Sequence, residues 1–268
     1  MSATDGRERR VMGKYKIEYR LKWEAPEEGG APLLTMPNIP KPLHAVNPRL
    51  IMGEAEWTKV RKRAYYDAGY RSEISRELCA EPGGLHAHEV YDINYVTGVC
   101  TFKRVCAITP LEHVYFIHSG RAITLWKNHN PLYSTEKLLK GVENGFRLIH
   151  EWNEAHPRRT KLKAYQTFLE YLKFDELREP MEKLIEKYDI EFWGEDLKRQ
   201  CDWGDWKLVI VDNKGRRKEY PTPYKDYRAW EEAMAEKSKE DNVRKINNPF
   251  TGGPFDEIEK ALKEDYEK

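Results

Sequence analysis

The chain lacks most of the features that would place it in a class at once. No run approaches the 18 apolar residues of a membrane span, and the opening MSATDGRERR has no apolar signal core, so neither a membrane segment nor secretion is expected. Cysteine is scarce. Cys79, Cys100, Cys106 and Cys201 form no CxxC pair and no disulfide framework, and Cys100 and Cys106 lie too far apart along one expected strand to bridge. That usage suits a reducing, cytoplasmic interior. An excess of one charge is missing too: 46 basic and 45 acidic residues leave +1, so any nucleic-acid contact must come from local basic patches. GxGxxG, P-loop and GxSxG motifs and internal repeats are absent.

What is present describes a globular chain able to bury a core. Of 268 residues, 34% are charged and 40% hydrophobic, and 16 tyrosines and 8 tryptophans supply amphipathic aromatic surface. Tyr15, Ile17, Tyr19, Leu21 and Trp23 alternate with charged residues, which predicts a strand with one wet face. The proline- and glycine-rich segment 24–42 then either wraps the domain or links mobile parts. From Glu54, Trp57, Val60, Ala64, Tyr65 and Ala68 predict an amphipathic helix carrying Arg61 and Lys62, either a phosphate-tracking patch or a solvated face.

Further on, Ser134 can cap a helix to about Glu154 with Leu138, Leu139, Val142, Phe146 and Ile149 as its apolar stripe. Helical stretches over 162–174 and 175–188 follow. A β-hairpin at about 206–220 turns at Asn213-Lys214-Gly215 and returns through Arg216, Arg217 and Lys218, which either lie along a nucleic-acid groove or guard a sheet edge. Helices over 224–237 and 255–268 close the chain. The expected organisation is an N-terminal strand and connector over 1–46, a mixed unit over 47–127, a helical region with its hairpin over 128–252, and an acidic helix over 253–268.

Chemistry concentrates in residues 85–121, LHAHEVYDINYVTGVCTFKRVCAITPLEHVYFIHSGR, which hold His86, His88, His113 and His118 of the chain's eight histidines. Val90–Tyr95, the turn at Thr97-Gly98 and Val99–Ile108 predict a hairpin. Thr109-Pro110-Leu111-Glu112 is a capping box with proline at the first helical position, so a short helix is expected from there to Gly120. His86 and His88 share one strand face, because side chains alternate. His113 and His118, five apart, fall about 140° apart around an α-helix and should not share an ion without distortion; for His113 a partly buried hydrogen-bonding role competes with a ligand role.

This arrangement resembles the HNH endonucleases, whose ββα-metal finger cuts a phosphodiester with one divalent cation. The resemblance rests on Asn47-Pro48-Arg49, Gly53, Trp57 and Arg61, then Leu85, His88-Glu89-Val90-Tyr91 and Asp92, then Ile117-His118-Ser119-Gly120-Arg121. It implies an α+β fold with an embedded ββα-metal finger and hydrolysis of DNA, with His88 as general base and His118 as ligand to magnesium or a similar ion. His86 and His113 are the further candidate ligands, and Arg121 either contacts phosphate or closes a helix C-terminus as a favourable cation. It also implies a bacteriophage-like source.

The chain departs from the family where many members carry two CxxC pairs for a structural zinc. Ser72 and Ser75 stand at the first pair, and Pro110 and His113, or Thr109 and Glu112, at the second, so no structural zinc is expected. Ala87 and Val114 stand where ligands are usual. The alternative reading is therefore an inactive HNH-like protein that binds nucleic acid or a protein partner.

Overall fold

The computed structural model describes residues 14–79, 81, 83–195, 201–212 and 214–236. The chain is mixed α+β, and two sheets meet the helices on a shared core. The alternating N-terminal segment divides between them. Strand β1 (Ile17–Arg20) pairs in parallel with β6 (Phe192–Glu195), whereas β2 (Lys22–Trp23) pairs antiparallel with β3 (His86–Asn94). The one strand expected from Tyr15 to Trp23 thus breaks at Leu21, because its two halves find different partners.

The larger sheet has the order β2-β3-β4-β7-β8, with β4 (Val99–Ile108), β7 (Lys207–Val211) and β8 (Arg217–Pro221). The β3–β4 hairpin forms as the β-branched runs predict, and β3 begins four residues earlier than expected. Its turn is built locally: Asn94 Oδ1 accepts from the backbone of Val96 and Thr97 at 3.0 and 3.2 Å, and Gly98 supplies the left-handed residue at φ 66°. The smaller sheet, β1-β6-β5, is completed by β5 (Ala164–Tyr165).

Helix α1 (Pro48–Asp67) is capped by Asn47 Oδ1 on Leu50 N at 3.0 Å, and Gly53 at φ 76° breaks it near the start. The capping box is present. Thr109 N donates to Glu112 Oε2 at 2.7 Å, and Glu112 N donates to Thr109 Oγ1 at 3.1 Å. The element it opens differs from expectation in kind and length: Leu111–Ile117 is a π-helix, and α2 (Ser119–Lys127) continues the coil. Gly120 is therefore not a cap, and among the described glycines it is not one with positive φ. Helix α3 (Thr135–Ala155) follows, with Ser134 Oγ accepting from Lys137 N at 3.3 Å; of the expected stripe Leu138, Val142, Phe146 and Ile149 are buried and Leu139 is half-buried.

Residues 162–174 are not one helix but β5 followed by a 3₁₀ segment, Gln166–Lys173, because Ala164 and Tyr165 complete the edge of β6. Helix α4 is Asp175–Lys187, with Pro180 in its first turns. A last helix, α5, covers 227–236. The expected acidic helix at 255–268, the turn residue Asn213 and the end of the 224–237 helix at Lys237 lie outside the described residues.

The core crosses the expected boundaries. Leu33 and Met36 from the proline-rich segment, Val90 and Phe116 from the histidine-bearing region and Phe146 and Phe168 from the helical region belong to one buried cluster. The connector therefore wraps the domain. On the sheet's other face, Leu43, Tyr91, Ile93, Trp206 and Leu208 form a second cluster.

Candidate metal centre

Strand β3 delivers His86 and His88 to the face that meets the π-helix, and the π-helix delivers His113 and His118 to the same point. The distortion that a shared ion would require is built into the backbone. His118 N donates to His113 O at 3.0 Å, a bond across five residues, so the two imidazoles lie on one face where an α-helix would separate them. Val114, the position where the resemblance puts a ligand, is buried in the core instead.

The rings meet closely. His113 Nε2 lies 3.1 Å from His88 Nδ1 and 3.1 Å from His118 Nε2, and His113 Nδ1 lies 3.0 Å from His86 Nδ1. His88, His113 and His118 each place one nitrogen within 4.8 Å of those of the other two. Hydrogen bonding alone satisfies this poorly. A neutral ring nitrogen has one in-plane hydrogen or one lone pair, so His113 Nε2 cannot serve both neighbours well. A cation accepts all three lone pairs. With metal–nitrogen bonds of about 2.0–2.1 Å, tetrahedral donors stand roughly 3.3 Å apart, close to the spacing seen.

Protonation fits the same reading. Burial, and then the charge of His118, hold His88 well below the ordinary histidine range. Burial and the surrounding His118, His88, His86 and Arg121 do the same for His113, and burial with Arg121 pushes His118 down to about 4. Three neutral imidazoles are what metal ligation needs. His88 is 4% exposed, and its Nε2 is buried without a partner among the described protein atoms. His113 and His118 are half-buried, less enclosed as residues than His88.

His86 bonds to His113 rather than joining the three, which places it behind the cluster. Arg121 is exposed, in the first turn of α2 and three residues past His118. A macrodipole role at a helix C-terminus is therefore excluded, since its charge sits at the unfavourable end.

The other expected contacts lie apart from this centre. Arg61 and Lys62 lie on α1. Arg216 pairs with Asp212 at 2.7 Å and Arg217 with Glu219 at 3.0 Å, so two of the three hairpin cations are matched locally on an edge strand; Lys218 is exposed beside them. Where the resemblance puts zinc cysteines, Ser72 Oγ donates to Glu112 Oε2 at 2.7 Å and Ser75 N to Glu112 Oε1 at 3.1 Å. A hydroxyl–carboxylate clasp ties the 72–75 turn to the π-helix start.

Sequence reasoning passed over Asn38, whose Nδ2 donates to Ile117 O at 3.1 Å and so supports the end of the π-helix. Its place in a proline-rich segment gave no signal. Cys79, Cys100, Cys106 and Cys201 are free thiols outside the imidazole cluster, and Cys106 supports it from behind by donating Sγ–H to His88 O at 3.4 Å. Compared with protein-family models, curated proteins and solved structures, the chain matches none.

Proposed function

We propose that the protein is a divalent-metal-dependent phosphodiesterase acting on DNA, built on a divergent ββα-metal finger, with His88, His113 and His118 as the metal ligands. The observation that carries this reading is the convergence of two ring nitrogens, His88 Nδ1 and His118 Nε2, on His113 Nε2 across a π-helical turn. π-turns cluster at functional sites because they cost regular hydrogen bonding. The HNH resemblance of residues 47–122 supports phosphodiester as the substrate class.

A divalent ion held there supplies a Lewis acid for a phosphoryl oxygen and lowers the pKa of a water toward neutrality. The chain's own groups do the rest. With Nε2 bare as a ligand, His113 would carry its proton on Nδ1, and His86 Nδ1 stands 3.0 Å from that atom, in place to accept it. Arg121, exposed three residues past His118, has the planar fork that suits a phosphate oxygen. His88 takes a ligand's place here rather than the general base's, because its ring faces His113 and is closed to solvent.

The test is nicking of supercoiled plasmid by chelator-stripped protein reloaded with Mg²⁺, Mn²⁺, Co²⁺, Ni²⁺ or Zn²⁺. Cleavage that vanishes in His118→Ala is expected; no cleavage with any ion rejects the proposal. In His88→Ala, loss of metal affinity marks a ligand, and retained metal with lost cleavage would return it to the role of base. One observation favours binding without turnover: Ala87 and the buried Val114 stand where the resemblance puts ligands. Salt-dependent DNA retention without cleavage would identify that case.

A further inference from the structure

We infer that the three-histidine site takes a late first-row divalent ion of the zinc class and discriminates against magnesium and calcium, with His86 as the positioning residue that holds His113 for it. The inference rests on the metal reading above and departs from the magnesium-like ion that the sequence led us to expect.

The donor set decides the matter. Magnesium and calcium are hard ions that bind through carboxylates, carbonyls and water, and magnesium keeps most of its hydration shell. Imidazole nitrogen suits the later first-row ions, whose affinities rise to copper and fall at zinc. Among the described residues, the group that converges here is entirely histidine.

The acidic side chains that could have supplied oxygen are engaged elsewhere. Glu112, on the same π-helix, is enclosed by the backbone N–H groups of Thr109 and Ser75 and the Ser72 hydroxyl. Asp92, on the same strand, accepts from Ala25 N and pairs with Lys103. Glu73 accepts from Ala107 N at 3.0 Å and pairs with Arg104 at 2.7 Å. Glu89 alternates to the opposite strand face from His88 and so points away from the cluster.

The two 3.1 Å nitrogen–nitrogen separations are compatible with one ion in contact with all three rings, and the all-imidazole donor set, not the spacing, selects among ions. Behind the cluster, the 3.0 Å contact between His86 Nδ1 and His113 Nδ1 supplies the outer hydrogen bond that fixes ring orientation at nitrogen-ligated sites.

The experiment is a Co²⁺ titration of the full chain after chelator stripping, read by visible d–d absorption. Intense bands of four- or five-coordinate Co²⁺ are expected at stoichiometric loading, unchanged by a large excess of Mg²⁺ and bleached by stoichiometric Zn²⁺. His113→Ala should abolish the bands, with His118→Gln as a second variant should the first fail to fold by circular dichroism. His86→Phe should keep the band shape and weaken binding by about 10–100-fold. Displacement of Co²⁺ by Mg²⁺, or bands that survive both ligand substitutions, overturns the inference. If the bands behave as expected but no plasmid is nicked with any ion, the hydrolase reading falls and the metal assignment stands.

Discussion

Gly145 of α3 lies against the face of Phe116 so closely that a β-carbon on it would come within 2.6 Å of the ring's Cγ and nearer still to two further ring atoms. One turn earlier, Gly141 is in the same relation to Tyr115. These glycines let α3 seat the π-helix, and the π-helix carries His113 and His118. Gly145→Ala should therefore cost about 1–3 kcal/mol by overpacking. Because the strain falls on Phe116, two residues before His118, Co²⁺ affinity should fall alongside the urea midpoint. A stability loss with unchanged metal affinity would show that the seat and the site are independent.

Glu112 is 1% exposed and receives hydrogen bonds from Thr109 N, Ser72 Oγ and Ser75 N. Glu112→Ala strands the Thr109 N–H and the Ser72 hydroxyl, while the part-buried Ser75 N keeps Ser72 Oγ at 3.2 Å, and should destabilise the chain by about 2 kcal/mol or more, because each orphaned buried group costs about 1–3 kcal/mol. Urea denaturation of the two proteins at matched pH measures it. A loss below roughly 1 kcal/mol would mean that water takes over the clasp.

Lys163, 5% exposed, lies 2.6 Å from Glu18 and 2.7 Å from Glu191, and so links both outer strands of the small sheet across β6. Its hydrogen bond, assisted by that of Lys16, pulls Glu18 from the ordinary 4.5 down to about 2, and it lowers Glu191 as well. Depressed carboxylates contribute stability above their unfolded pKa and lose it as the pH falls through the folded one. Stability should therefore decline between about pH 4.5 and pH 2 in the parent, and less steeply in Lys163→Met. Parallel pH profiles of the urea midpoint would contradict this assignment.

Arg121 and the hairpin cations should separate in their effects. Arg121→Ala is expected to lower DNA cleavage by about 10–100-fold, the worth of a hydrogen bond to a charged group. Arg216 and Arg217 already have Asp212 and Glu219 as partners, so alanine at either should leave cleavage and the salt dependence of DNA retention nearly unchanged. The reverse order of effects would move the nucleic-acid contact to the hairpin.

The sequence made local rules legible and hid those that depend on partners. The capping box at Thr109–Glu112, the Ser134 cap, the turn at Thr97-Gly98 and the main positions of the α3 stripe follow from nearest-neighbour chemistry, and each is present. The division of Tyr15–Trp23 between two sheets depends on Phe192 and Asn94, far along the chain, so its alternation gave no hint of a break. Residues 162–174 kept helical spacing but yielded two of them to a sheet edge.

At the site, the residue types were visible and the geometry was not. A spacing of five reads as 140° on an α-helix, and only the π-turn, stabilised by tertiary packing against Gly141 and Gly145, turns it into a shared face. That same change moved His86 from candidate ligand to supporting partner and brought His88 into the cluster.

The parallel pairing of β4 with β7 joins Val99 to Lys207, so more than a hundred residues intervene between two neighbouring strands. Closing so long a span is entropically slow, whereas the β3–β4 hairpin needs only a short-range encounter and the π-turn waits only for α3, which follows it closely in the chain. During synthesis, the four imidazoles would leave the ribosome together well before the strand that completes the sheet. An ion captured at that stage would bind a partly assembled chain, and the metal could then act as a folding template as well as a reagent.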